Sequence, residues 1–154
     1  MEYGSIEREI HIEATPEVVF EVISRPEHIR EWWSDEAEFD SAVGGSGELV
    51  FGDRATAEAN VVPLTVVDAE PPRLFSFRWA YGSGEVAAPR NSLLVTFELV
   101  PSGAGTVVRL TETGFREMGW EAAVLEAQYN DHIAGWDFFL PRLGEYVAKL
   151  VSSR

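Results

Sequence analysis

His132 is the residue of this 154-residue chain best suited to moving a proton. It stands three positions after Tyr129 and four before Trp136, so all three share one face of any α-helix through them. Imidazole titrates near neutral pH, and at such a position it could orient a ligand or act as acid and base. The plainer alternative is an interior histidine satisfied by a backbone carbonyl or by Glu112. Glu112 is in phase with Val108 and Leu110 in a β-type alternation. If that face is buried, the carboxylate must be paired or carry a raised pKa. Its other reading is a strand-end carboxylate in water, beside the Thr113-Gly114 exit. Trp32, Trp33, Trp79, Trp136 and Phe139 supply large apolar faces that either wall a pocket or fill the core.

Other chemistries lack the residues they require. There are no cysteines, hence no disulfide, thiolate nucleophile or thiolate metal site, which is compatible with a reducing cytoplasm. The three histidines, His11, His28 and His132, are scattered, so no metal or other cofactor is implied. Asp131 beside His132 is not a dyad, because adjacent helix positions diverge by ~100°. Gly44-Gly45-Ser46-Gly47 lacks the lysine and following helix of a phosphate loop, and no Gly-x-Ser-x-Gly elbow or dinucleotide fingerprint is present. A formal net charge of −14 makes nucleic acid and anionic lipid poor partners. No apolar run approaches the ~20 residues that span a bilayer, and Met1 to Glu13 lacks the apolar core of a signal peptide.

These side chains need elements to hold them. Gly119 to Val151 reads as one long amphipathic helix, its stripe passing through Leu125, Tyr129, His132, Trp136, Phe139, Leu143, Val147 and Leu150. Pro141 interrupts it at a cost of roughly 3 kcal/mol and predicts a kink near Asp137 that divides the helix in two. Ser5 to Ala14 alternates as a strand, with Arg8 among inward isoleucines, where it could pair with an acid such as Glu112 or reach the rim. Thr15-Pro16-Glu17 opens a short helix, and Ser24-Arg25-Pro26-Glu27 has capping-box spacing for a second. Strands follow over 37–40, 48–51, 55–69, 73–81, 91–100 and 106–113. The third of these passes a possible break at Pro63, and the fourth places Phe75, Phe77, Trp79 and Tyr81 on one face. The layout is α+β in a single domain, residues 1–154, with antiparallel strands and helices on one face.

Four stretches carry a family resemblance. They are Glu31-Trp32-Trp33 with Glu36 to Asp40 and Gly44-Gly45, Val66 to Leu74 running into Phe77-Arg78-Trp79, Gly105 to Phe115, and His132 to Trp136 continuing to Leu140 and Leu143. Together and in this order they resemble the bacterial homologues of the heat-shock-protein-90 ATPase activator, within the START-like (SRPBCC) superfamily. The resemblance implies a helix-grip fold: a curved antiparallel sheet of six to seven strands wrapped around the kinked C-terminal helix, with two short helices after strand 1. It also implies a cavity between sheet and long helix. By position its lining comes from Trp32, Trp33, Phe51, Phe77, Trp79, Glu112, Tyr129, His132, Trp136 and Phe139.

The function expected from this reading is binding or sensing of a small hydrophobic or aromatic molecule in a cytoplasmic protein, with no catalysis required. One alternative is a cyclase, aromatase or dehydratase on the same scaffold, using His132 as acid/base with Glu112 or Tyr129 as partner. Another, motivated by the resemblance, is a stress-response module that stimulates a chaperone ATPase. A homodimer is compatible with such folds.

Overall fold

In the computed structural model, residues 4–53, 55–56, 59–82 and 84–153 are described; part of the sequence-predicted 55–69 strand, residues 57 and 58, lies outside them. The strands are β1 (Ser5–Ile12), β2 (Glu36–Phe39), β3 (Ser46–Phe51), β4 (Asn60–Glu70), β5 (Leu74–Trp79), β6 (Leu93–Ser102) and β7 (Gly105–Thr113). The helices are α1 (Pro16–Ser24), α2 (Pro26–Trp32) and α3 (Ala122–Ser152), the last preceded by a 3-10 turn at Arg116–Met118. The strands form one curved, fully antiparallel sheet of seven in the order β1-β7-β6-β5-β4-β3-β2. This is the helix-grip architecture, with α3 laid against the concave face.

The alternating pattern explains which face is concave. Leu93, Val95, Phe97 and Leu99 of β6 are all buried, as are Val108, Leu110 and Glu112 of β7. The register aligns Ile6, Glu112, Val95, Phe77 and Val66 in one row across five strands. Glu112 is the one charged residue in that row. Trp136, Leu140, Leu143 and Val147 of α3 close over the same face in a single hydrophobic cluster.

Element boundaries differ from the sequence expectation in instructive ways. β5 ends at Trp79, not Tyr81, because Ala80 takes φ = 66°, a left-handed conformation that turns the chain out of the sheet. Tyr81 then points its hydroxyl to Thr65 at 2.7 Å. α3 begins at Ala122, since Gly119 is left-handed (φ = 74°) and Glu121 is extended. A single helix runs through Pro141, in place of the expected two segments. Leu140 and Leu143 on either side of Pro141 are buried and anchor both sides of it to the core.

The first helix is capped as expected, Thr15 Oγ1 accepting from the Val18 amide with Pro16 at the first position. The capping box at α2 is absent: Ser24 Oγ donates instead to the Phe20 carbonyl at 2.6 Å, and Arg25 occupies the cap position without a side-chain bond. Arg8 does not meet Glu112. It lies on an edge strand, so its long side chain reaches round to Asp137 of α3, with Nε donating to Oδ1 at 2.7 Å.

Leu143 is fully buried at the centre of the α3 contact. Leu143→Ala is expected to lower unfolding free energy by about 2–5 kcal/mol in urea titration, the usual range for a large-to-small core change.

Candidate functional site

The site is organised by the Glu112 carboxylate, which has no solvent exposure. Its oxygens receive the indole Nε1 of Trp79 at 2.8 Å and the indole Nε1 of Trp136 at 2.8 Å. His132 Nδ1 lies 3.0 Å from both oxygens. Indole nitrogen can only donate, so both Trp contacts are N–H to carboxylate bonds. His132 completes the set by carrying its proton on Nδ1. β5 supplies Trp79, β7 supplies Glu112, and consecutive turns of α3 supply His132 and Trp136. The strand exit after Glu112 is held by Gly114, whose φ of 105° and 3.0 Å approach of a Cβ to the Ser92 carbonyl leave no room for a side chain.

Burial alone disfavours the charged imidazole, but the hydrogen bond it donates to Glu112 and the charges of Glu112 and Asp131 outweigh it. The His132 pKa is therefore raised above its ordinary value of 6.5. The other ring nitrogen, Nε2, has no hydrogen-bond partner among the described residues.

Beside this cluster opens a cleft of about 680 Å³, between the start of β4, the end of β5 and the first half of α3. That volume is within the range of small-molecule sites. Trp33, Phe51, Trp79, Trp136 and Phe139 form its apolar walls, and His132 lies among them. Trp33 is the central wall, with ring centroids 5.0 Å from Trp79, 5.1 Å from Trp136 and 5.7 Å from Phe77. Asn60, Tyr81, Gln128 and Asp131 supply polar groups at the rim. The mouth is open, with Phe138 (59% exposed) and Val61 (39%) on it, so the space is a cleft and not a sealed cavity.

Six of the ten sequence-predicted lining residues meet here: Trp33, Phe51, Trp79, His132, Trp136 and Phe139. The other four lie elsewhere. Trp32 is packed behind Trp33 at 5.7 Å, donating Nε1 to the Val22 carbonyl at 3.1 Å. Phe77 lies beneath Trp33, and Glu112 is sealed under its donors. Tyr129 turns aside to donate its hydroxyl to the Ser5 carbonyl at 2.6 Å. The aromatic set thus divides, one part filling core and the other facing the cleft. Sequence reading missed Gln128, Asp131, Gly135 and Phe138, which line it too. Their steps of three and four describe a second stripe parallel to the first, so helical period alone could have found them. Among the described residues, no group of three or more His, Asp or Glu side chains converges to hold a metal ion. No helix of these residues is long and apolar enough to cross a membrane.

Residues 13–148 match the family described as activator of Hsp90 ATPase homolog 1-like protein. The chain belongs to that family. Solved structures agree in fold with this member of the activator-like family. A Nitrosomonas europaea protein superposes with a TM-score of 0.74 at 14% identity, covering 96% of each chain. A Mesorhizobium loti protein gives 0.70 at 22% identity, covering 94% of this chain and 97% of its own. The Aha1 dimer from Colwellia psychrerythraea gives 0.66 at 20% identity, covering 93% and 95%. A search of curated proteins finds no match to the chain.

Removing Glu112 strands two indole N–H groups and an imidazole. Glu112→Ala is expected to cost about 3–5 kcal/mol in urea unfolding, as for a broken buried charge pair. The raised His132 pKa adds stability that is fully present below pH 6.5 and is lost as pH rises through the folded value. NMR titration should place His132 above 6.5 in the native protein, and Glu112→Gln should flatten this part of the stability profile.

Proposed function

We propose that this protein binds or senses a small hydrophobic or aromatic molecule in the cleft between β4, β5 and α3, acting in the cytoplasm without a cofactor. The observation that carries the reading is the wall of Trp33, Phe51, Trp79, Trp136 and Phe139 around about 680 Å³ of space. A minimal core does not need a concave aromatic surface facing solvent. Ligand sites take this form, apolar walls with a few placed polar groups. The indole N–H groups of Trp79 and Trp136 are already committed to Glu112, so these side chains offer a ligand their π faces and edges. His132, Gln128 and Asn60 are the groups left to orient it.

The Glu112–His132 contact supports a second reading, an enzyme of cyclase, aromatase or dehydratase type in the same cleft. A histidine whose Nδ1 is held by a carboxylate has its Nε2 in place to exchange a proton. Loss of turnover in His132→Gln with ligand affinity kept would favour it over simple binding. Stimulation of a chaperone ATPase is supported only by the family's description, and pairing of two copies only by the dimeric Colwellia protein.

Gly135 offers a direct test. It lines the cleft, and a Cβ built there meets no heavy atom within 4 Å. A larger side chain would enter the open space and relieve a helical glycine that costs about 1 kcal/mol relative to alanine. Gly135→Leu is expected to keep or raise the unfolding midpoint while abolishing tryptophan quenching by neutral aromatic compounds that quench the parent protein. Undiminished binding in Gly135→Leu would place the ligand elsewhere.

A further inference from the structure

We propose that the cleft selects hydroxylated aromatic ligands, phenols or enols, whose O–H donates to Nε2 of His132. The inference rests on the binding reading above and narrows its ligand class.

Several polar groups at the cleft already have partners. The Trp79 and Trp136 indoles and His132 Nδ1 are spent on Glu112. The Tyr81 hydroxyl is shared with Thr65. The imidazole ring stands between Trp79 and Phe115, edge to face with both at 5.6 and 5.5 Å, so its orientation is fixed. With Nδ1 bound to Glu112, Nε2, on the other side of Cε1, directs its lone pair away from the carboxylate, and the ring lines the cleft. It has no partner among the described residues, and the side chain is 14% exposed. A hydrogen-bonding nitrogen at the inner end of an aromatic slot asks for a partner from the ligand.

Charge then narrows that partner. Among the described lining residues there is no lysine or arginine. A permanent carboxylate or phosphate would meet the Glu112–His132 pair with no second cation among the described lining residues, Arg142 lying over the rings of Phe138 and Phe139, and would face Asp131 at the rim. A neutral hydroxyl carries no such penalty. With the Nδ1 proton held by Glu112, neutral His132 presents Nε2 as an acceptor, which an O–H fits and an ether or bare ring does not. The flat walls select a planar carrier for that hydroxyl.

The ionisable groups facing His132 are Glu112 from β7 and Asp131 on α3 itself; Trp79 from β5 and Phe115 contribute only ring contacts. Protonation of His132 converts Nε2 from acceptor to donor, so preference for a donating ligand should fade as pH falls through its titration.

The test compares 2-naphthol with 2-methoxynaphthalene, which has similar shape but no hydroxyl proton, by calorimetry above and below the His132 titration followed by NMR. At the higher pH 2-naphthol should bind about tenfold more tightly, the scale of one well-made hydrogen bond. That preference should shrink at the lower pH. In His132→Phe it should vanish while 2-methoxynaphthalene keeps its affinity. Equal affinities in the parent protein at both pH values overturn this inference and leave the aromatic cleft standing. Binding of neither compound overturns both. A preference that persists in His132→Phe assigns the hydroxyl to another group and also overturns it. The pH comparison uses the parent protein, so the inference stays testable if that variant does not fold.

Discussion

A carboxylate with no access to water must find its hydrogen bonds inside the protein, and Glu112 finds three N–H donors from two elements other than its own. Most of the site follows from that requirement. Trp79 must end β5 with its indole edge toward β7. Trp136 must cross from α3 with its N–H on the same carboxylate, and His132 must enter one turn earlier with Nδ1 inward. The other members of its own row, Ile6, Val95, Phe77 and Val66, offer nothing polar, so none of them can serve the carboxylate. Such a buried ionic group is weak evidence for net stability, since an apolar replacement often packs as well. Its clearer effect is to define one arrangement of three elements, and with it the orientation of every aromatic face on the inner side of the cleft.

The packing around that hub separates anchoring from access. Leu140, Leu143 and Val147 bind the second half of α3 to the sheet and leave no room between them. Trp32 secures the same half, its Nε1 on the Val22 carbonyl while its own carbonyl accepts Arg142 Nε at 3.3 Å. Trp33 follows directly and stacks outward from that anchor, so the wall of the cleft is fixed by the residue before it. Ahead of these supports the first half of α3 is only partly covered: Tyr129, His132 and Ile133 remain half-buried. The cleft exists because the helix is held firmly at one end and lightly at the other.

Period and punctuation made the fold legible. Alternation in β1, β5, β6 and β7 and the long three-to-four stripe of α3 both mark a buried face directly, which is why the antiparallel strands and the layer could be anticipated. The site was harder because stripe membership gives direction but not depth. Trp32 and Trp33 are adjacent, yet one seals the core and its neighbour faces the cleft; Tyr129 shares the His132 stripe, yet its hydroxyl is drawn to Ser5. The Tyr129–Ser5 bond and the Trp33–Trp136 contact join residues more than a hundred positions apart, which no local pattern contains. The same limit applies to Arg8, whose partner was set by its place on an edge strand. The α2 cap failed for a local reason: a serine that can bond back to the preceding turn need not serve the following helix.

The position of α3 in the chain has a consequence for biosynthesis. All seven strands precede it, and the donors that Glu112 needs from His132 and Trp136 arrive last. On a ribosome the sheet is therefore complete in sequence while its concave face, with Phe75, Phe77, Phe97 and a bare carboxylate, still lacks a cover. Until those donors arrive, the carboxylate must draw the balance of its hydrogen bonds from water. The residue that fixes the finished site also marks the nascent sheet as incomplete until the last helix emerges.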